Sequence, residues 1–247
     1  MKKLLLLSAL LIFACSSDDS SDNDNSDDNN ELLNCDGNPV PTIVYGTQEW
    51  TVENACNITY SDGTAIPEVT DPTQWSNLTT GAWSYIDNDP TKPRLYNWYA
   101  VAGIHDADPN TPNKEFAPEG WHVPSDAEWT TLENHLIANG YNYDGTTTEN
   151  KIGKAMASTT GWFSSEAAGA IGNDQSLNNS SGFNAFPEGF RYDYGSFNNE
   201  GSNAVFCSST ENDANLAWFR LLIYNYSYLY RYYNNRQYGF SVRFVRD

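Results

Sequence analysis

Turn-forming residues interrupt this chain so often that they decide what it can fold into. Past Val40, clusters of Gly, Pro, Asn and Asp recur, and one stretch, PSDAEWTTLENHLIANG, runs long enough without a break for several helical turns. Ser125 and Glu128 have the S-x-x-E spacing of a capping box, which satisfies free amides of the first turn. Trp129, Leu132 and Leu136 then recur at helical spacing, and Gly140 supplies a left-handed stop. One helix is predicted over about 125–139, and a shorter one over Glu149 to Ala157.

Elsewhere the pattern is that of short strands. PTIVYGTQEWTVENA alternates around Gly46 and predicts a hairpin. RLYNWYAVAGI fits a buried strand or a short helix equally well. SGFNAFPEGFRY, NAVFCSSTE, LAWFRLLIYNYSYLYRYY and YGFSVRFVRD are predicted strands separated by turns. Helices in the first half and strands in the second imply an α+β domain with short antiparallel strands and long loops, not a parallel α/β sheet.

The N-terminus has another character. Lys2 and Lys3 precede a short apolar run, Leu4 to Phe13, too short to span a bilayer, so residues 1–14 are predicted to be an export signal. Ile12-Phe13-Ala14-Cys15 resembles the lipobox of bacterial lipoproteins, which implies lipid attachment at Cys15 and a membrane held through that anchor. Residues 15–34 continue with SSDDSSDNDNSDDNNE, which has no apolar residue to bury and is predicted to be a disordered acidic tether. An acidic patch there also resembles the surface-export signal of Bacteroidota lipoproteins, which implies an outer-membrane location facing the cell exterior. The folded domain is then 35–247.

Charge and cysteines narrow the function. The formal net charge of −19 excludes nucleic-acid binding through phosphate contacts, which needs a basic face. Beyond Cys15 stand Cys35, Cys56 and Cys207. Export permits disulfides; a Cys35–Cys56 bridge is a candidate that would leave Cys207 as a buried thiol. His105, His122 and His135 lack metal-ligand spacing, no glycine-rich phosphate loop precedes a helix, and no calcium loop has its glycine and closing glutamate. No cofactor, no metal and no catalytic residue is predicted.

Seven segments occur together and in order: YGTQEWTVEN, YSDGTAIPEVTDPTQWSNLTTGAW, LYNWYAV, GWHVPSDAEWTTLE, SGFNAFPEGFR, FCSSTE and GFSVRFVRD. From about Thr42 to Asp247 the chain resembles the Fibrobacter succinogenes major paralogous domain family. That resemblance implies a C-type lectin-like fold related to formylglycine-generating-enzyme-like domains, carried on exported Bacteroidota lipoproteins with no established activity. The formylglycine-type oxidases use a late pair of cysteines, whereas Cys207 stands alone. Family members commonly carry cysteines before GWHVP and in the closing SVRCVRD. Here those positions are Phe116-Ala117 and Phe244, and the usual tryptophan of WSST is Cys207.

Recognition is the remaining reading. Seven of the 16 tyrosines fall between Ile223 and Tyr238. Tyr224, Tyr226, Tyr228, Tyr230 and Tyr232 repeat every second residue and are predicted to share one face of a strand, with Asn225, Ser227, Leu229, Arg231 and Tyr233 on the other. Tyr, Ser and Asn make adaptable contact surfaces. The predicted ligand-binding set is Asn225, Tyr226, Ser227, Tyr228, Tyr230, Arg231, Tyr232, Tyr233, Asn234, Asn235, Arg236, Gln237 and Tyr238. In it Arg231 and Arg236 would serve anionic or carbonyl groups, while Phe240, Val242 and Arg243 would be scaffold. The segment also resembles the variable region of proteins diversified by retroelements. The expected partner is a protein or glycan bound non-catalytically. The alternatives are a fimbrial-type assembly component with a fixed protein partner, and calcium-independent glycan binding.

Overall fold

The computed structural model describes residues 32–247; the predicted export signal, the predicted lipid attachment at Cys15 and nearly all of the predicted acidic tether lie outside them. The described chain is mixed α+β. Its strands are β1 (Thr42–Tyr45), β2 (Gln48–Thr51), β3 (Trp83–Tyr85), β4 (Arg94–Tyr96), β5 (Trp121–His122), β6 (Phe190–Arg191), β7 (Phe197–Asn198), β8 (Asn203–Glu211), β9 (Leu216–Ile223), β10 (Tyr230–Asn235) and β11 (Val245–Arg246). The helices are α1 (Pro72–Ser76), α2 (Trp98–Val101), α3 (Asp126–Ala138) and α4 (Gly153–Met156).

Helix α3 follows its sequence signals. The Ser125 hydroxyl accepts from the Glu128 amide, and the Glu128 carboxylate accepts from the Ser125 amide, closing the capping box. Trp129, Leu132 and Leu136 are fully buried, and Gly140 stands at φ +77° just past the end. The β1–β2 hairpin turns at Gly46, φ +65°. RLYNWYAVAGI is both things in succession, β4 and then α2, because the Asn97 side chain caps the helix by accepting from the Ala100 amide. The helix predicted over Glu149–Ala157 contracts to the four residues of α4.

Two sheets carry the architecture. One, in the order β1-β2-β11-β5, brings the chain's end beside its first hairpin; the other, in the order β10-β9-β8, is antiparallel and presents the tyrosine-rich segment. The second sheet lies between two cores. From β8, Ala204 and Phe206 enter a core with Trp50, Trp129, Phe183 and Leu222, while Val205 and Cys207 enter one with Tyr96, Phe219, Phe240 and Val242. Burial on both faces goes with the unbroken apolar run Ala204–Cys207 in the first half of β8, the pattern of a strand covered on both sides.

Three details bear on stability. Cys35 and Cys56 form a disulfide with Cα atoms 5.7 Å apart, and Cys207 is a buried free thiol that burial pushes well above the usual range. The two positions where the resemblance implies cysteines meet in space: Phe116 and Phe244 are both 2 % exposed, with ring centroids 6.0 Å apart. Aromatic packing stands there in place of a bridge. Lys154 is buried, and its ammonium donates to the carbonyls of Ala170, Asn173 and Asp174, tying α4 to the following loop.

Candidate recognition surface

The tyrosine-rich stretch is not one strand. β9 ends at Ile223 and β10 begins at Tyr230, so residues 224–229 are a hairpin connection, which corrects the predicted single face of five tyrosines. The cause lies far off in sequence. The amides of Gly172, Ile171 and Gly153 donate to the carbonyls of Tyr224, Tyr226 and Ser227 at 2.6, 3.0 and 2.8 Å. Asn150 receives the Leu229 amide and donates to its carbonyl. Leu229, placed on the polar face by alternation, is 2 % exposed in the first core. A segment whose backbone bonds go to α4 and to loops cannot also serve a sheet ladder.

The predicted residues nevertheless come together on one exterior region. Asn225, Tyr226, Arg231, Tyr232, Tyr233 and Asn235 are exposed; Ser227, Tyr228, Tyr230, Asn234, Arg236, Gln237 and Tyr238 are half-buried. Phe240, Val242 and Arg243 are buried. At one end Tyr226, Tyr228 and Tyr230 interlock with ring centroids 4.3 to 5.5 Å apart, and the Tyr228 and Tyr230 hydroxyls share a hydrogen bond. Burial, then the Tyr228 hydroxyl, push the Tyr230 phenol well up, so it stays neutral. In the middle Tyr232 and Tyr233 stack at 5.2 Å and 2°. Tyr232 meets Phe219 and Tyr233 meets Trp218 across the ladder.

The arginines are not free to meet a ligand's charge. Arg231 lies over the Trp218 ring at 3.4 Å, and its guanidinium donates to both oxygens of Asp126. Arg236 lies over Trp98, donates to the Asp213 carbonyl and pairs with Glu211 at 2.8 Å. Both guanidiniums, predicted to serve anionic or carbonyl groups of a partner, make their bonds to other residues of this chain. Asp126 also receives the buried Arg220, and although burial raises its pKa, the two guanidiniums outweigh that and hold the carboxyl below the usual range. Among the amides, Asn235 donates to Asp193 at 2.7 Å and Gln237 to the Leu78 carbonyl at 3.4 Å.

The Asn235–Asp193 bond reveals a second contributor that sequence reasoning missed. The turn joining β6 to β7 reads YDYGS; its Tyr192 and Tyr194 stack at 4.7 Å, Tyr192 meets Tyr238 at 5.6 Å, and Tyr194 is 56 % exposed. Two tyrosines flanking an Asp before a turn glycine were the available signal. Beyond the other end, Phe163 packs on Tyr224 at 5.8 Å and borders a cleft of about 620 Å³ with Phe186, Pro187 and Pro93. The surface is therefore a belt of phenol rings and amides on a rigid frame, suited to packing and hydrogen bonding.

His122 stands apart, bridging Glu128 and Asp247 at 2.6 and 2.7 Å. Among the described residues no group of three or more His, Cys, Asp or Glu stands where it could hold a metal ion, and no helix is long and apolar enough to cross a membrane. Compared with known proteins, residues 43–246 match the model of a family described as the Fibrobacter succinogenes major domain. No curated protein and no solved structure matches the chain.

Proposed function

For a chain that belongs to the Fibrobacter succinogenes major domain family, we propose non-catalytic recognition of a macromolecular ligand at the cell surface. The observation that carries this reading is the exposure of Tyr226, Tyr232 and Tyr233, at 41, 57 and 40 %, on a hairpin whose core is supplied by other residues. Large aromatic side chains left in water at one place mark interaction surfaces, and tyrosine gives contact area at low entropic cost. In this reading Cys15 carries the lipid anchor, the acidic segment spaces the domain from the outer membrane, and the mixed α+β frame is a C-type lectin-like domain. Diversification by a retroelement would act on the exposed positions of 225–235.

The test is an alanine series at Tyr226, Tyr232 and Tyr233. Binding is measured against immobilised surface proteins and against glycans with and without chelator, alongside thermal unfolding. We expect at least about tenfold weaker binding per substitution, as for truncation of an aromatic anchor, with a melting temperature within a few degrees of the parent. Unchanged binding, or collapse of the fold, would overturn the reading.

A further inference from the structure

β10 is the last strand of its sheet, and among the described residues no strand or bridge pairs with its outer edge. Two hydrogen bonds fix which of its backbone groups point outward. At one end of the ladder the Tyr224 amide donates to Ser202, so Leu222 and Arg220 bond toward β8 while Leu221, Phe219 and Ala217 bond toward β10. At the other end the Arg236 amide donates to Asn215, in the same phase. In an antiparallel ladder alternate residues face the partner. Tyr230, Tyr232 and Asn234 therefore bond inward, and Arg231, Tyr233 and Asn235 face out. Asn235 is locally satisfied, its amide by the Asn234 side chain and its carbonyl by the Tyr238 amide. Arg231 and Tyr233 remain, presenting two donors and two acceptors about 7 Å apart, the repeat of a strand.

Natural sheets protect such edges with free charged side chains, lysine above all, with proline or with a bulge. Residues 230–235 contain neither lysine nor proline, their one charged side chain, Arg231, is held by Asp126, and the β9–β10 register runs without a shift. The unpaired edge coincides with the exposed pair Tyr232 and Tyr233.

We infer that the outer edge of β10 takes up an extended segment of a partner polypeptide as a further strand, and that this segment carries lysine or arginine. This rests on the reading of the tyrosine belt as the recognition surface. Main-chain bonds would supply affinity and the flanking rings selectivity, as when a peptide completes a sheet. Charge decides the occupant. Arg231 and the buried Arg220 face Asp126 and Glu133, Arg236 pairs with Glu211, and Asp193 and Asp213 stand beside the strand's far end. With a formal net charge of −19 the chain repels anionic segments and its own copies, and its tyrosine faces accept cations.

The experiment uses the full chain and four probes by fluorescence anisotropy. These are a nine-residue alternating Thr/Val peptide with two lysines, its two-glutamate counterpart, and each of the two N-methylated at alternate amides. The lysine peptide should bind at least about tenfold tighter than the glutamate peptide, and methylation should cost about tenfold by removing edge hydrogen bonds. Methylation leaves the protein untouched, so a folding defect cannot mimic the result. Binding that survives methylation but falls with Tyr232→Ala and Tyr233→Ala would overturn the added strand and leave the recognition reading standing. Binding indifferent to both changes would overturn both. No binding, or concentration-dependent self-association suppressed by Tyr233→Lys, would overturn the inference as well.

Discussion

Asp126 holds two guanidiniums at once, and its loss would be felt more than that of any single tyrosine on the surface. Arg220 has a fully buried side chain, while the Arg231 side chain is 44 % exposed. Removing the carboxylate strands a buried charge, which is far costlier than breaking an exposed pair. Asp126→Asn should lower unfolding free energy by about 3 kcal/mol in a denaturant titration, and Arg231→Ala by about 1 kcal/mol or less. Because the folded carboxyl is depressed, its contribution is present above the ordinary Asp range and is lost as pH falls through the lower folded value. His122 has the opposite sign. Burial lowers its pKa, but Glu128 and Asp247 outweigh that and raise it above 6.5. Its contribution is complete below pH 6.5 and fades as pH rises through the higher folded value. Melting curves of the parent should therefore decline above that point, and His122→Asn should flatten the decline.

The hairpin connection of residues 224–229 shows where an element becomes specific. Gly153 has no side chain, and a Cβ there would sit 2.8 Å from the carbonyl of Ser227. Gly153→Ala should push the connection outward, cost about 2 kcal/mol of stability and speed amide exchange at Gly153, Ile171 and Gly172. If the protection of those three amides is unchanged, the connection is not held as described. These bonds also explain what sequence reasoning could reach. Helix α3 was legible because its cap, its apolar stripe and its stop are all within 17 residues of one another. The break after Ile223 was not, because Tyr-x-Tyr alternation reads as strand and the competing partners, Asn150 to Gly172, lie more than 50 residues away. The role of Arg231 was hidden for the same reason: Asp126 is 105 residues away. The gathering of Tyr and Asn at one surface was legible because the stretch is mostly Tyr, Asn, Ser and Arg, while Leu221, Leu222, Phe240 and Val242 on either side supply core residues.

At the scale of the whole molecule, frame and surface are chemically separate. Trp50, Trp129, Phe183 and Phe206 fill one core and Tyr96, Phe219, Phe240 and Val242 the other, and neither recruits Tyr226, Tyr232 or Tyr233. Arg191 and Arg243, both essentially buried, close loops by donating to backbone carbonyls, so their bonds do not depend on the exposed side chains. Such a frame tolerates change at the surface, because substitutions away from packed or paired groups shift stability by only about 0.5 kcal/mol. The tolerance is uneven along the hairpin. Asn225, Tyr226, Tyr232 and Tyr233 are exposed and can change without opening either core, whereas Leu229 is buried and Arg231 is bound to Asp126. Sequencing codons 214–247 across a natural population reads this directly. Substitutions should concentrate at 225, 226, 232, 233 and 235, spare 229, 240, 242 and 244, and lie beside a reverse-transcriptase gene with a template repeat. Variation spread evenly over exposed and buried codons would contradict the separation of frame from surface. Invariance at every codon, with no such neighbour, would mean that one fixed partner has shaped the tyrosine belt.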